Sequence, residues 1–150
     1  MKNKRHKPTR DHLFNAPKEY LGVPIEVDIG SYLIADSRGI WPKKRIVLGA
    51  TWFSLPIGER EAVLAHEAAH CKKFHLEKRL LALPLLFLRP AFAQSIAQGQ
   101  ELEADQFACE RGHGADLRSM LGRLHGKEGQ FYPLVAERVV AITAYLNKNI

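Results

Sequence analysis

The sequence predicts an α+β fold, in which a small β-sheet is followed by a run of helices. β-branched and aromatic residues concentrate between residues 23 and 49, whereas alanine- and leucine-rich stretches dominate from residue 54 onward. Strands that precede helices in this way are typical of α+β domains. A chain of 150 residues is long enough to bury a core without disulfides or metals, and we expect one domain over residues 13–150.

The strand region contains three candidate strands. The segment from Val23 to Ala35 has partly alternating apolar positions, which predict two short strands joined near Gly30. The residues from Asp36 to Gly39 have turn composition. A third strand is expected from Arg45 to Gly49, and together these strands would form a small antiparallel or mixed sheet.

The helical region contains four candidate helices. Pro56 suits the first turn of a helix that we expect to continue as far as Phe74. Pro84 and Pro90 are expected to interrupt the apolar segment that follows. Three further helices are predicted over about 91–111, 115–124 and 133–146, with Gly112 ending the first of them.

The formal net charge of +6 is concentrated at the start of the chain. The basic residues there are Lys2, Lys4, Arg5, Lys7 and Arg10. We expect residues 1–12 to form a basic flexible tail. Attachment to nucleic acid or to an anionic membrane is the alternative, and the lack of interleaved aromatic residues disfavours nucleic acid. No apolar stretch of signal length follows, so we expect no signal peptide and a cytoplasmic location.

The longest apolar run lies between Leu80 and Leu88 and is too short to cross a bilayer. A core helix is one interpretation of this region, and peripheral membrane contact through residues 80–97 is the other. Cys71 and Cys109 do not make a disulfide framework, and we expect two buried free thiols. A single disulfide or a thiolate ligand remains open at this point.

The pentapeptide His66-Glu67-Ala68-Ala69-His70 is the most informative feature of the chain. Two histidines four positions apart lie on one face of a helix, and two neutral imidazoles on one face can hold a zinc ion. Glu67, next to the first histidine, can take a proton from a metal-bound water. The pattern therefore predicts a hydrolytic metal site.

A catalytic zinc ion normally has three protein ligands and one open position. Downstream, Glu101 and Asp105 are four positions apart and share a helical face, whereas Glu103 points away from Glu101. A ligating histidine also needs a partner for its second ring nitrogen. We therefore predict Glu101 as the third ligand, beside His66 and His70, and Asp105 as the partner of a ligating histidine.

These two motifs carry a resemblance to a known family. Residues 64–70 together with 101–105 resemble the gluzincin metallopeptidases that include the HtpX-type, Oma-type and CAAX prenyl proteases. The likeness extends over residues 23–146, and residues 132–139 are similar to the family's His-Pro-x-x-x-x-Arg element. It implies a zincin-like fold with a small N-terminal β-sheet, an active-site helix, a Glu-x-x-Ala-Asp helix and two C-terminal helices. The short gap between the motifs implies a minimal catalytic domain without the family's transmembrane segments.

The resemblance implies a zinc endopeptidase that holds one zinc ion and cleaves a protein or peptide substrate. Glu67 would accept a proton from water and deliver it to the leaving amine. Tyr132 replaces the histidine of the family's C-terminal element, and Tyr132, Arg138 and His113 are candidate donors to the oxyanion. We expect a substrate to add as a strand to the sheet, beside residues 45–49.

Two alternatives are open at the sequence level. Residues 101–108 are also similar to the Glu-x-x-Ala-Asn-x-Phe-Ala pattern of the ImmA/IrrE metallopeptidases, with Asp105 in place of the asparagine. That likeness implies a regulatory metallopeptidase. The other alternative is a latent or non-catalytic zinc-binding domain. The intact Glu67 favours an enzyme, because a purely structural zinc site does not need this carboxylate.

Overall fold

The computed structural model of the protein describes residues 15–88, 90–125 and 133–149. The expected basic tail at residues 1–12 and the candidate donor Tyr132 lie outside the described residues. The strands are Glu19–Tyr20 (β1), Val23–Val27 (β2), Ala35–Arg38 (β3) and Arg45–Leu48 (β4). The helices are a short 3-10 helix over Ala50–Ser54, followed by Ile57–Lys72 (α1), His75–Leu88 (α2), Pro90–Cys109 (α3), Gly114–His125 (α4) and Pro133–Lys148 (α5). A small sheet followed by helices confirms the predicted α+β class.

The sheet is mixed and its strand order is β1-β2-β4-β3. β2 and β4 run parallel, while β1 and β3 are antiparallel to their neighbours. Ile46, Val47 and Leu48 of β4 are buried, because this strand lies between two others. The expectation that residues 45–49 offer an edge to a substrate is therefore wrong. That edge belongs to β3.

β3 occupies the segment that was expected to be a turn, and this prediction was wrong. Ala35 pairs with Leu48 and Arg38 pairs with Arg45 across the β3–β4 ladder. Pairing with a buried strand satisfies the backbone hydrogen bonds and overrides the local turn preference of the polar residues. The predicted second strand before Ala35 is absent from the structure, and a turn at Asp28 takes its place, with the Asp28 side chain accepting from the backbone N–H of Gly30 at 3.1 Å.

The chain between β2 and β3 passes very close to the end of β4. The N–H of Gly49 donates to the carbonyl of Ile34 at 2.9 Å. A Cβ at Gly49 would lie 1.9 Å from the carbonyl oxygen of Leu33, so only glycine fits here. This close approach holds the segment that leads into β3 against the sheet.

Helix α1 is the centre of the fold and packs against β3, β4, α3 and α4. Its alanines allow close approach, and Ala62, Ala65 and Ala68 are fully buried. Cys71 and Cys109 belong to the same core and are free thiols, as predicted. The remaining core side chains come from the sheet, α4 and α5, and they include Ile46, Leu48, Leu117, Leu121, Val135 and Ile142.

The helix ends follow the sequence with small shifts. α3 ends before Gly112, whose φ of 85° lets its N–H bond back to Cys109 and the His113 N–H to Ala108. Pro84 does not interrupt α2, contrary to expectation. Proline disfavours a helix interior, but α2 packs against α3, and tertiary packing overrides the local preference. Pro90 opens α3, which is a position that proline tolerates.

The outer surface of α2 and the start of α3 expose several large apolar side chains. Leu81 is 83% exposed, and Leu80, Leu83 and Phe92 are each more than two-fifths exposed. None of the helices over the described residues combines the length and apolar character needed to traverse a bilayer. Peripheral membrane contact through residues 80–97 stays a prediction.

Candidate metal centre

Three of the sequence-predicted residues converge between α1 and α3. His66 and His70 lie one turn apart on α1, and their Nε2 atoms are 3.1 Å from each other. Glu101 of α3 faces both rings, with one carboxylate oxygen 3.3 Å from Nε2 of His66 and the other 3.4 Å from Nε2 of His70. The structure thus brings two imidazoles and one carboxylate to a single point.

This spacing fits a bound metal ion. Ligand atoms that surround a zinc ion tetrahedrally at bond lengths of 2.0–2.1 Å lie about 3.3 Å from one another. The distance between the two Nε2 atoms is close to that value, and so is the distance from each Nε2 to its facing oxygen of Glu101. One ligand atom from each of the three residues lies within 4.8 Å of the others. Over the part of the chain that the structure describes, no fourth histidine, cysteine or acidic residue joins them. The cluster of His66, His70 and Glu101 could therefore bind a metal ion and leave a coordination position open.

The second nitrogen of His66 faces a carboxylate. Nδ1 of His66 lies 2.9 Å from Oδ1 of Asp105, somewhat off the ideal hydrogen-bond direction. Asp105 is only 2% exposed and is itself held by Arg138. This is the contact that the shared face of Glu101 and Asp105 predicts. A carboxylate behind a ligating imidazole fixes its orientation and tautomer.

Arg138 of α5 joins the two carboxylates of α3. Its Nε and one Nη donate to both oxygens of Asp105 at 2.7 Å each, and its other Nη lies 3.1 Å from Glu101. Burial alone would raise the pKa of Asp105, but its hydrogen bonds with His66 and Arg138 outweigh burial and lower it. These are the contacts of a residue that positions carboxylates. The expected contact of Arg138 with a substrate oxyanion stays a prediction.

The second nitrogen of His70 faces His75, which the sequence does not mark as a functional residue. Nδ1 of His70 lies 2.8 Å from Nδ1 of His75, the first residue of α2. Nε2 of His75 lies 2.9 Å from Glu103, which also accepts from Lys73 at 3.0 Å. Glu103 points away from Glu101, as predicted, and contacts His75 and Lys73 instead. No sequence signal marks His75, because its placement depends on the turn between α1 and α2.

The charges of the cluster are strongly coupled. Burial would lower the pKa of His66, but hydrogen bonds with Asp105 and Glu101 outweigh it and raise the pKa to about 9. Burial and the neighbouring charge of His66 lower the pKa of His70 to about 3. Burial would raise the pKa of Glu101, yet the hydrogen bond and charge of His66 hold it at about 2. At neutral pH His66 therefore carries a proton, whereas His70 is neutral and Glu101 is ionised.

Glu67 projects from α1 beside the cluster and is partly exposed. Burial raises the pKa of this carboxyl, and the charges of Glu101 and Asp36 add to the increase against the opposing effect of His66. A carboxyl whose pKa is shifted toward neutrality is suited to exchange protons. Ser37 of β3 lines the same hollow as Glu67 and acts to lower the pKa of its carboxyl.

Two hollows meet at Glu67 and the cluster. One, of about 390 Å³, is mainly apolar and lies toward α4 and α5. Its apolar lining includes Leu33, Val63, Leu117, Met120, Leu121 and Val135. The other, of about 340 Å³, is more polar and lies toward α2, with Asp36, Ser37 and Arg79 on its walls. Both hollows are lined by His66, Glu67 and Glu101, so a bound chain could pass across the cluster.

Comparison with family models, with curated proteins and with solved structures gives no match.

Proposed function

We propose that the protein is a zinc-dependent endopeptidase in which His66, His70 and Glu101 hold one zinc ion and Glu67 acts as the general base. The observation that carries the proposal is the convergence of two imidazoles and one carboxylate beside a second, partly exposed carboxylate. Two nitrogen ligands and one oxygen ligand form a donor set that suits zinc at catalytic sites. A structural zinc would normally be closed by four protein ligands.

Zinc bound in such a site lowers the pKa of a coordinated water to about 7 and polarises a substrate carbonyl. The residues of the chain supply the proton transfers. Glu67 takes a proton from the attacking water, and its raised pKa lets it hold that proton until the leaving amine accepts it. Arg138 and Asp105 keep His66 and Glu101 in place through the contacts described above.

The substrate in this proposal is an extended polypeptide. Over the described residues, β3 is an edge strand with β4 as its only ladder neighbour. Its residues Ala35, Asp36 and Ser37 line the hollows on either side of Glu67. An extended peptide can add to such an edge through main-chain hydrogen bonds. Its scissile carbonyl would then lie between the cluster and Glu67, with neighbouring side chains in the apolar and polar hollows.

The test compares hydrolysis of casein by the zinc-loaded parent and by Glu67→Gln. We expect both proteins to contain equal zinc, while hydrolysis by the variant falls about 10²- to 10⁴-fold, the usual contribution of a general base. Glu61→Gln makes the same chemical change at an exposed position of α1 and should leave hydrolysis unchanged. Parental activity in Glu67→Gln would disprove the assigned role.

The two alternatives are separated by offering further substrates to the zinc-loaded protein. Zinc bound at one ion per chain with no turnover of unfolded casein, of the chain itself or of a peptide library would favour a zinc-binding domain without catalysis. Hydrolysis confined to one folded regulatory protein would favour the regulatory metallopeptidase.

A further inference from the structure

The two histidines of the cluster are supported in different ways. His66 has the buried carboxylate of Asp105 behind it, at 2.9 Å from Nδ1. Among the residues that the structure describes, no carboxylate faces Nδ1 of His70, which meets the ring of His75 instead. A ligating histidine whose second nitrogen lacks a partner loses both its fixed tautomer and its fixed orientation. Within the described part of the chain, the contact with His75 is therefore the one available to fix the tautomer and orientation of the His70 ring.

The distances allow one assignment of hydrogens when Nε2 of His70 binds a cation. A neutral imidazole that ligates through Nε2 carries its hydrogen on Nδ1. The facing nitrogen of His75, 2.8 Å away, must then be the acceptor. The hydrogen of His75 therefore sits on Nε2 and is donated to Glu103 at 2.9 Å. Each ring nitrogen of His70 and His75 that carries a hydrogen then faces an acceptor, and the nitrogen of His75 that carries none faces a donor.

We propose that His75 is a positioning residue for the metal centre. His75 accepts a hydrogen bond from the ligand His70, and through this bond the Glu103–Lys73 ion pair holds the ring of His70 in place. The series is His70, His75, Glu103 and Lys73, and it ends at the protein surface. This inference rests on the proposed metal site but not on peptidase activity.

His75 is built into the fold more firmly than a surface contact would be. Its side chain is 1% exposed, although Glu103 and Lys73 at the far end of the series are partly exposed. Its carbonyl accepts from the side chain of the buried Gln100 at 3.1 Å. The two rings of His70 and His75 meet edge to face with centroids 4.8 Å apart.

The test uses two substitutions of nearly identical shape. His75→Leu fills the space but cannot accept a hydrogen bond, whereas His75→Asn keeps an acceptor near the position of Nδ1. Zn²⁺ affinity is measured by competition with a chromogenic chelator, together with circular dichroism to verify folding. We expect the leucine variant to bind Zn²⁺ about 10- to 100-fold more weakly than the parent, and the asparagine variant to recover most of the loss. Glu61→Gln, at an exposed position of α1, should bind as the parent does.

A second readout does not depend on any variant. The ring nitrogens of ¹⁵N-histidine-labelled, zinc-loaded protein report the tautomer of His75 by NMR, and we expect the hydrogen on Nε2. A hydrogen on Nδ1 of His75, or parental Zn²⁺ affinity in a folded His75→Leu, would overturn the proposal.

The result is separable from the endopeptidase proposal. Tight zinc binding that needs His75, without hydrolysis of any substrate, would leave the positioning role intact and remove only the enzyme. Hydrolysis together with parental zinc affinity in His75→Leu would disprove the positioning role and leave the enzyme proposal intact. A parent chain that binds no Zn²⁺ would disprove both proposals.

Discussion

Zinc binding should compete with one proton, and its pH dependence follows from the charges of the cluster. In the metal-free protein the pKa of His66 is about 9, that of His70 about 3 and that of Glu101 about 2. Between pH 4 and pH 8 only His66 therefore carries a proton that zinc must displace. Because the proton on His66 and the zinc ion exclude each other, the affinity for zinc falls as the pH falls.

The size of the change in zinc affinity with pH distinguishes this site from one with two ordinary histidines. The unprotonated fraction of a group with a pKa of about 9 falls about ninefold from pH 8 to pH 7, and zinc affinity should fall by the same factor. Two independent histidines with a pKa of about 6.5 would lose less than about twofold over that interval. We expect close to one proton to be released per zinc at pH 7.

The assay is chelator competition at pH 7 and pH 8, with proton release measured in parallel by a pH indicator. A zinc-bound water that ionises near pH 7 also releases protons, and Asp105→Asn controls for it. That variant removes one of the charges that raise the pKa of His66, so its pH dependence should be shallower. A change below about twofold in the parent, equal to that of the variant, would refute the reasoning.

Two further predictions concern Arg138 and the acidic residues of α3. Arg138→Met should lower the free energy of unfolding of the metal-free protein in urea by roughly 3–5 kcal/mol, because it leaves the buried carboxylate of Asp105 without its cationic partner. Arg138→Lys should recover part of this loss. A loss below about 1 kcal/mol in Arg138→Met would contradict the assigned pairing. Glu101→Ala should lower the zinc content at saturation far below one ion per chain, whereas Glu103→Ala should keep one ion bound about tenfold more weakly. Elemental analysis after gel filtration distinguishes these outcomes, and the opposite result would move the third ligand to Glu103.

The local part of the site was predictable from the sequence. The spacing of His66 and His70, and that of Glu101 and Asp105, each determine which side chains share a face of one helix. That the two faces meet depends on the packing of α1 against α3, which spacing alone does not specify and which the family resemblance supplied. The contact of Asp105 with a ligating histidine follows once the two faces meet.

The parts that could not be predicted depend on contacts between distant segments. β3 forms from residues of turn composition because β4 provides a partner for their backbone. On a continuous helix, His75 would lie about 140° around the axis from His70 and could not meet it. The chain instead turns at Phe74, where φ is 58°, and this turn brings His75 back beside His70.

The position of the metal tests the central claim most directly. A crystal of the zinc-loaded protein, measured on both sides of the zinc absorption edge, would locate the ion by its anomalous scattering. The account predicts a single peak about 2.0–2.1 Å from Nε2 of both His66 and His70 and about 2.0–2.2 Å from an oxygen of Glu101, with no fourth protein ligand. A peak away from these three atoms, or one enclosed by four protein groups, would contradict it.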